Sequence, residues 1–545
     1  MNLARARVFS SSPSPVAAAK AASCMQLCNH QVPHRFRSWL GAGCAPGIQS
    51  QYTGAVRLLS CSVPSRSQHF GQPLASSHPH ILKQGDLSPG VTCDEYKQRR
   101  SRLVQRLTKA APSHIQHHIV AMVSAKQLHS GPDVPYEFRQ CADYRYLCGF
   151  LEAESVLLIE WSATDETCHT VIFAGSRSGR DRLWHGPRTS LSAIPAVFGV
   201  DKALPVEQLT SYLCENYPDS RKKQCMLWHT VSPKASIDEA LNKQIKSHFS
   251  NISPVSNVLP HLHSLRVSKT TAELELMRKA ATATHAGFLK MMKRSDVPVG
   301  EWTLEERLHS GFMDESNGVS SVNRVQLAFP SVIAGGCRAT VLHYLAKDMR
   351  VGSSDLVLVD AGAEVHGYVC DVSRTWPLSG RYTPCQRVLY DIVVQVQSNA
   401  IGMIDAAAES GTPTSMQTLY DASLEEMKDL MRSNGVIRNS ASASETSAVV
   451  KRLFPHALGH YVGADVHDCK FVPESAPLRE GVTMTIEPGV YIPADNAPAC
   501  VPSCFHGIGV RVEDIVVINA AGRAELLTST ARTSQDIEDL LNNTS

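Results

Sequence analysis

No Asp or Glu occurs before Asp86, no CxxC pair occurs anywhere, and no stretch approaches the ~18 uninterrupted apolar residues of a membrane-spanning helix. Each absence closes a class. Without a span, any membrane role is confined to the surface or to import. Without CxxC, neither a zinc ribbon nor a dithiol redox motif is visible, and the sixteen cysteines read as reduced thiols of a packed core. No period of about 20 to 50 residues recurs, which argues against solenoids and propellers.

The acid-free start carries Arg5, Arg7, Lys20, Arg35, Arg37 and Arg57, with thirteen serines in the first 80 residues. A basic, serine-rich leader without acids has the composition of a mitochondrial transit peptide. Phe9 to Ala22 is too broken by Ser and Pro to form a secretory core. Residues 1–60 are therefore expected to address the chain to mitochondria, with the matrix as destination and a cytosolic pool allowed. Residues 61–90, rich in Pro, Gly, Ser and His, read as a flexible lead-in. From residue 86 onward the chain holds 45 Lys and Arg against 51 Asp and Glu, a balance of −6 that argues against a nucleic-acid-binding body.

The 545 residues leave room for two to four domains of roughly 150 residues each. Tyr96, Leu103, Val104 and Leu107 recur at helical spacing, and β-type runs follow at Ile119 to Val123, Ser155 to Trp161 and Thr170 to Ala174. Residues 91–255 are thus expected to form an α/β module, ending in a loop around Pro254 to Pro260. A second module is expected over 262–545. Its entry is Thr270-Thr271-Ala272-Glu273, a capping box opening the amphipathic helix Leu274 to Met292.

The chemistry concentrates in the second module. Leu356-Val357-Leu358-Val359 is a strand-like run ending in Asp360, and Tyr368 to Trp376 carries Asp371. A hairpin turning at Val365-His366 would set the two acids opposite each other, where they repel unless a cation lies between them. His456, His460 and His467 fall within thirteen residues with Asp465 and Asp468. The spacing of His456 and His460 allows one helical face, but no HExxH is present and a zincin site fails. Glu487 ends an apolar run in Thr-Ile-Glu-Pro-Gly, and Glu513 interrupts Gly-Val-Arg-Val-Glu-Asp-Ile-Val-Val-Ile. Carboxylates inside aliphatic strands are costly to bury without compensation. Asp360, Asp371, His460, Glu487 and Glu513 together offer four carboxylates and one imidazole, a hard donor set suited to two divalent ions such as Mn²⁺.

The order of these motifs resembles that of the M24 metallopeptidases of the pita-bread (creatinase/aminopeptidase) fold. Tyr136 to Leu151, YEFRQCADYRYLCGFL, is similar to the amino-terminal domain of aminopeptidase P. The resemblance implies an α/β (α+β) chain with a creatinase-like amino-terminal domain and a pita-bread catalytic domain. It implies that Asp371 and Glu513 bridge two metal ions, most readily Mn²⁺, that Asp360 completes one shell, and that His460 and Glu487 complete the other. Glu487 would also shuttle a proton. His343 and His467 match substrate-facing histidines, while His456, Tyr491 and Arg511 match residues around them.

The reaction implied is removal of one amino-terminal residue, preferably before proline, from peptides or proteins, by a homodimer. An Xaa-Pro dipeptidase shares the ligands, and non-enzymatic pita-bread binding modules lack them. Cys469 stands where relatives often carry Thr, and the Pro- and Cys-rich stretch between Tyr491 and Gly507, with Cys500 and Cys504, reads as a loop. Neither departure touches a ligand. A fusion of residues 1–60 to a fluorescent reporter should enter mitochondria, and a diffuse cytosolic signal would reject the address.

Overall fold

The computed structural model describes residues 71–543 apart from 165–167, 223, 231–236, 251–253, 294–296 and 321–322. The proposed transit peptide lies outside the described residues. So does the lead-in up to residue 70. From Gly71 onward the lead-in is packed rather than flexible: Leu74, Leu82 and Leu87 are buried, and the Gln72 amide donates to Gly149 O and accepts from Leu151 N. Its apolar residues find a face on the first module, which composition alone does not reveal.

The first module is a mixed six-stranded sheet in the order 255–257, 225–229, 117–123, 155–162, 169–174, 202–205. Strand alternation divides its side chains between two cores. Ile119, Ala121 and Val123 pack on one face with Leu213, Ile245 and Phe249, while Val120 and Met122 pack on the other with Leu103, Leu107 and Leu147. The helix Cys93–Ala110 buries Tyr96, Leu103, Val104 and Leu107, the set read from the sequence. The expected strands are found at His117–Val123, Ser155–Ser162 and His169–Ala174.

The boundary differs from the one expected. Val255–Asn257 pairs in parallel with Cys225–His229, and the following helix Leu259–Arg266 buries Leu259 and Leu262 in the first core. The first module therefore runs to about Arg266. Pro254 and Pro260 mark the ends of short elements rather than one loop.

The second module opens as read. Thr270 caps the helix Thr271–Met292, with Thr270 Oγ1 accepting from Glu273 N and Glu273 Oε2 accepting from Thr270 N. This helix and the long helix Pro384–Ser410 enclose small antiparallel sheets around one continuous core. Among the described residues, no helix is long and apolar enough to cross a membrane.

The register of the acid-bearing hairpin is a correction. Val365 pairs with Tyr368, so the turn is His366-Gly367, both at positive φ. Such a two-residue hairpin turn requires that backbone, which Gly367 adopts freely and β-branched Val365 would resist. Asp360 consequently faces Ser373 rather than Asp371. The shift moves Asp371 by two positions, which keeps it on the same face as a diagonal neighbour of Asp360. Between them, Gly362 lies so close to the opposite strand that a Cβ would stand 1.7 Å from Cys370 O. Gly362→Ala should displace the Asp371 strand and destabilise the chain by about 1–3 kcal/mol or more, the usual cost of overpacking. An unchanged melting temperature for this variant would contradict the register.

Candidate metal centre

Two pairs of strands and one irregular segment deliver the candidate site. Asp360 projects from the strand Leu356–Ala361 on the face of Leu358, away from Val357, Val359 and Ala361 in the main core. Asp371 precedes the partner strand Val372–Pro377. Glu487 follows Thr483–Ile486, and Glu513 precedes Asp514–Ile518, the strand paired with it. Glu513 also bridges to Ser373, joining the two sheets at the acids. The His456–His460 segment is irregular rather than helical, so the expected shared helical face is absent. Glu487 N donates to Leu458 O and Thr485 N to His460 O, laying the segment along the strand end instead.

His343, Asp360, Asp371, His456, His460, His467, Glu487, Arg511 and Glu513 line one cavity of about 800 Å³. Tyr491 lies behind them. Donor atoms of Asp371, His460 and Glu513 fall within 4.8 Å of one another, and His460 Nε2 stands 3.6 Å from Asp371 and 3.5 Å from Glu487. His460 Nδ1 is 3.2 Å from Tyr461 O; donation there leaves Nε2 bare towards the acids.

The carboxylates are under-compensated. Asp360 Oδ1 and Asp371 Oδ1 are buried without a hydrogen-bond partner among the described residues. Burial, then the charges of Glu513, Asp360 and Glu487, push Asp371 well above the carboxylate range. Burial with Glu487 and Asp360 does the same to Glu513, and burial takes Glu487 to about 8 despite Arg511. At an effective dielectric near 20, two unit charges ~4 Å apart repel by about 4 kcal/mol, so several ionised acids here require protons or cations. Burial, with His467 nearby, lowers His460 to about 4, keeping it neutral and a competent ligand. Orphaned oxygens, hard donors and a neutral imidazole fit divalent metal.

One guanidinium ties the acids together. Arg511 donates to Asp360 Oδ2 at 2.8 Å, Ser373 Oγ at 2.9 Å and Tyr491 Oη at 2.8 Å, and Ser373 Oγ donates onward to Glu513 at 2.7 Å. Burial holds His456 near 4, so it is neutral; with Nδ1–H on Ala457 O, its Nε2 accepts from Tyr491.

The sequence reading missed several supports. Arg374, fully buried, donates to Asp514 and to the carbonyls of Ser373, Glu513, Thr530 and Ala531. Gln397 donates to Ile486 O, Val512 O and Asp514. Glu301 accepts from Gly335 N, Arg338, Tyr344 Oη and Met349 N, which braces the loop bearing His343. Charges inside apolar strands were the available signal for Arg374 and Asp514. Gln397 and Glu301 carry none, being helical positions.

Comparison with known proteins places this geometry. The family model for metallopeptidase family M24 matches residues 275–520, and that for the aminopeptidase P amino-terminal domain matches 96–226. Xaa-Pro aminopeptidase 3 of Mus musculus is 31% identical over 510 residues, 92% of this chain and 96% of its own. Mitochondrial intermediate cleaving peptidase 55 of Arabidopsis thaliana is 34% identical over 483 residues, covering 87% of this chain and 88% of its own. The crystal structure of Icp55 from Saccharomyces cerevisiae superposes with a TM-score of 0.71 at 28% identity, over 85% of this chain and 100% of that one. Frame and family together define a metal-dependent hydrolase. The chain belongs to metallopeptidase family M24 and is an aminopeptidase with the aminopeptidase P two-module plan.

A pH signature follows from the raised acids. The metal-free fold favours their protonated forms, so it loses stability as pH rises from the ordinary Glu value of 4.5 towards about 8. Added Mn²⁺ should restore stability increasingly over that window in thermal unfolding. An increment flat in pH would refute the assignment.

Proposed function

We propose that the chain is a dinuclear, manganese-dependent aminopeptidase that releases the amino-terminal residue from peptides and proteins, preferentially when proline is second, in mitochondrial protein processing. The observation that carries the reading is the set of four carboxylates and one neutral histidine at the floor of an open cleft. The names of the mouse and Arabidopsis relatives support the Xaa-Pro preference and the compartment.

Asp360, Asp371, His460, Glu487 and Glu513 would hold the ions through their carboxylate oxygens and the His460 ring nitrogen. When bound, the ions supply Lewis acidity and lower the pKa of water to the neutral range. The remaining work belongs to the side chains. Glu487, whose carboxyl burial raises to about 8, takes a proton from the attacking water and returns it to the leaving nitrogen. His343 and His467 donate hydrogen bonds to the scissile carbonyl as charge builds on its oxygen. Burial, then His343, lowers the His467 pKa, so its ring is a neutral donor. Arg511 holds Asp360 and, through Ser373, Glu513, and His456 with Tyr491 buttresses Arg511.

Proline in second position presents an imide nitrogen without hydrogen and a fixed φ, so the bond must be oriented by the cleft walls. Phe329, Pro330, Leu342 and Leu345 supply apolar walls for that purpose. A homodimer belongs to the same reading. The helix Gly179–His185 buries none of its residues and leaves Leu183 and Trp184 bare, a surface that a second subunit would cover.

The test is an assay of the chain from residue 71 with Mn²⁺ on an Xaa-Pro-Xaa tripeptide beside an Xaa-Pro dipeptide. Tripeptide cleavage lost on chelation is the expected result. Faster dipeptide turnover would make the enzyme a dipeptidase, and full turnover after exhaustive chelation would remove the metal from the mechanism.

A further inference from the structure

His467 enters the cleft without a hydrogen-bond partner of its own among the described residues; its ring meets His460 edge-on at 4.4 Å. Its placement is therefore inherited from the backbone of residues 462–468. That loop is gripped on both sides of His467, and both grips lead to the first module.

Two residues before it, Asp465 accepts from Arg139 Nη1 at 3.1 Å, and Ala464 O accepts from Nη2 of the same guanidinium at 2.6 Å. Arg139 Nε donates to Glu364 at 2.6 Å, on the strand Ala363–Val365 that continues from the Asp360 strand. One planar fork thus fixes the loop against the strand that follows Asp360, a geometry lysine cannot reproduce. Immediately after His467, Asp468 accepts from Arg266 Nη2 at 2.6 Å and Lys269 Nζ at 3.1 Å, all three side chains being buried. Arg266 is held in turn by Asp143, in the helix Ala142–Cys148 three residues beyond Arg139. Buried charges of this kind keep their geometry because losing one partner strands the other.

We infer that Arg139 and Asp143 of the amino-terminal module are positioning residues for His467 and set turnover through it, without holding metal or substrate. The inference rests on the reading of His467 as a donor to the scissile carbonyl. It gives the first module a part in the chemical step, although none of its described residues lines the cleft.

The experiment uses the metal-loaded enzyme and an Xaa-Pro-Xaa tripeptide, with metal content measured on every variant. His467→Ala should lose roughly 10² to 10³ in kcat, as for other donors of this kind. Arg139→Ala should lose about tenfold to hundredfold in kcat with KM little changed and the parent's metal content, since misplacement of about 1 Å carries a cost of that order. Arg139→Lys should not rescue it. Asp465→Asn, which keeps the shape of the side chain, should move kcat in the same direction and serves if Arg139→Ala does not fold.

The decisive variant is the double one: Arg139→Ala added to His467→Ala should cost little more, because the grip acts through the histidine. A purely structural tie would multiply the two losses and strip metal. Normal turnover by Arg139→Ala and Asp465→Asn beside a crippled His467→Ala would overturn the positioning role alone. Normal turnover by His467→Ala would overturn the underlying reading and this inference with it.

Discussion

Mutual repulsion among Asp360, Asp371, Glu487 and Glu513 is the constraint around which the catalytic module is organised. Aliphatic strands bring four acids to one place, and no folding force rewards that convergence by itself. The surrounding structure answers with directed donors. Arg511 and Ser373 engage two of the acids, while Arg374 lies behind them on Asp514 and collects the carbonyls of neighbouring segments. The uncompensated remainder, expressed in orphaned oxygens and raised carboxyl pKa values, is what makes the cleft a receptor for cations. Binding strength and folding strain therefore have one origin.

Much of this was legible in the order of residues because the chemistry uses rare placements. A carboxylate in the middle of Gly-Val-Arg-Val-Glu-Asp-Ile-Val-Val-Ile has few structural reasons to be there, and three histidines near two acids compound the signal. The capping box at Thr270 and the alternating strands of the first module were legible for a simpler reason, that local propensity and tertiary packing agree there. Where they failed to agree, reading failed. The hairpin register hung on which two residues accept positive φ, and a turn displaced by one residue moved the pairing of Asp360 from Asp371 to Ser373. The boundary near Pro254 was misplaced because a three-residue edge strand is too short to leave a pattern.

The supports behind the acids were illegible for a different reason. Gln397 sits on a helix 27 residues long, and its amide meets three acceptors from segments roughly 90 to 120 positions later. Nothing local marks such a residue. Glu301, wholly buried at the start of a helix, resembles an ordinary first-turn acid until its four donors are located in space. The cleft is thus encoded twice, once in conspicuous motifs and once in scattered residues that only the fold brings together.

The His366-Gly367 turn has a consequence for how such a chain varies over time. Because side chains alternate across a strand, lengthening that turn by one residue and restoring pairing would swing Asp371 to the opposite face, from cleft to core. The stretch between Tyr491 and Gly507, by contrast, contains only one short 3₁₀ turn, and its length is free of that parity rule. Insertions accumulating among descendants of this chain should therefore gather in the second segment and be purged from the first, so that the two segments record very different histories.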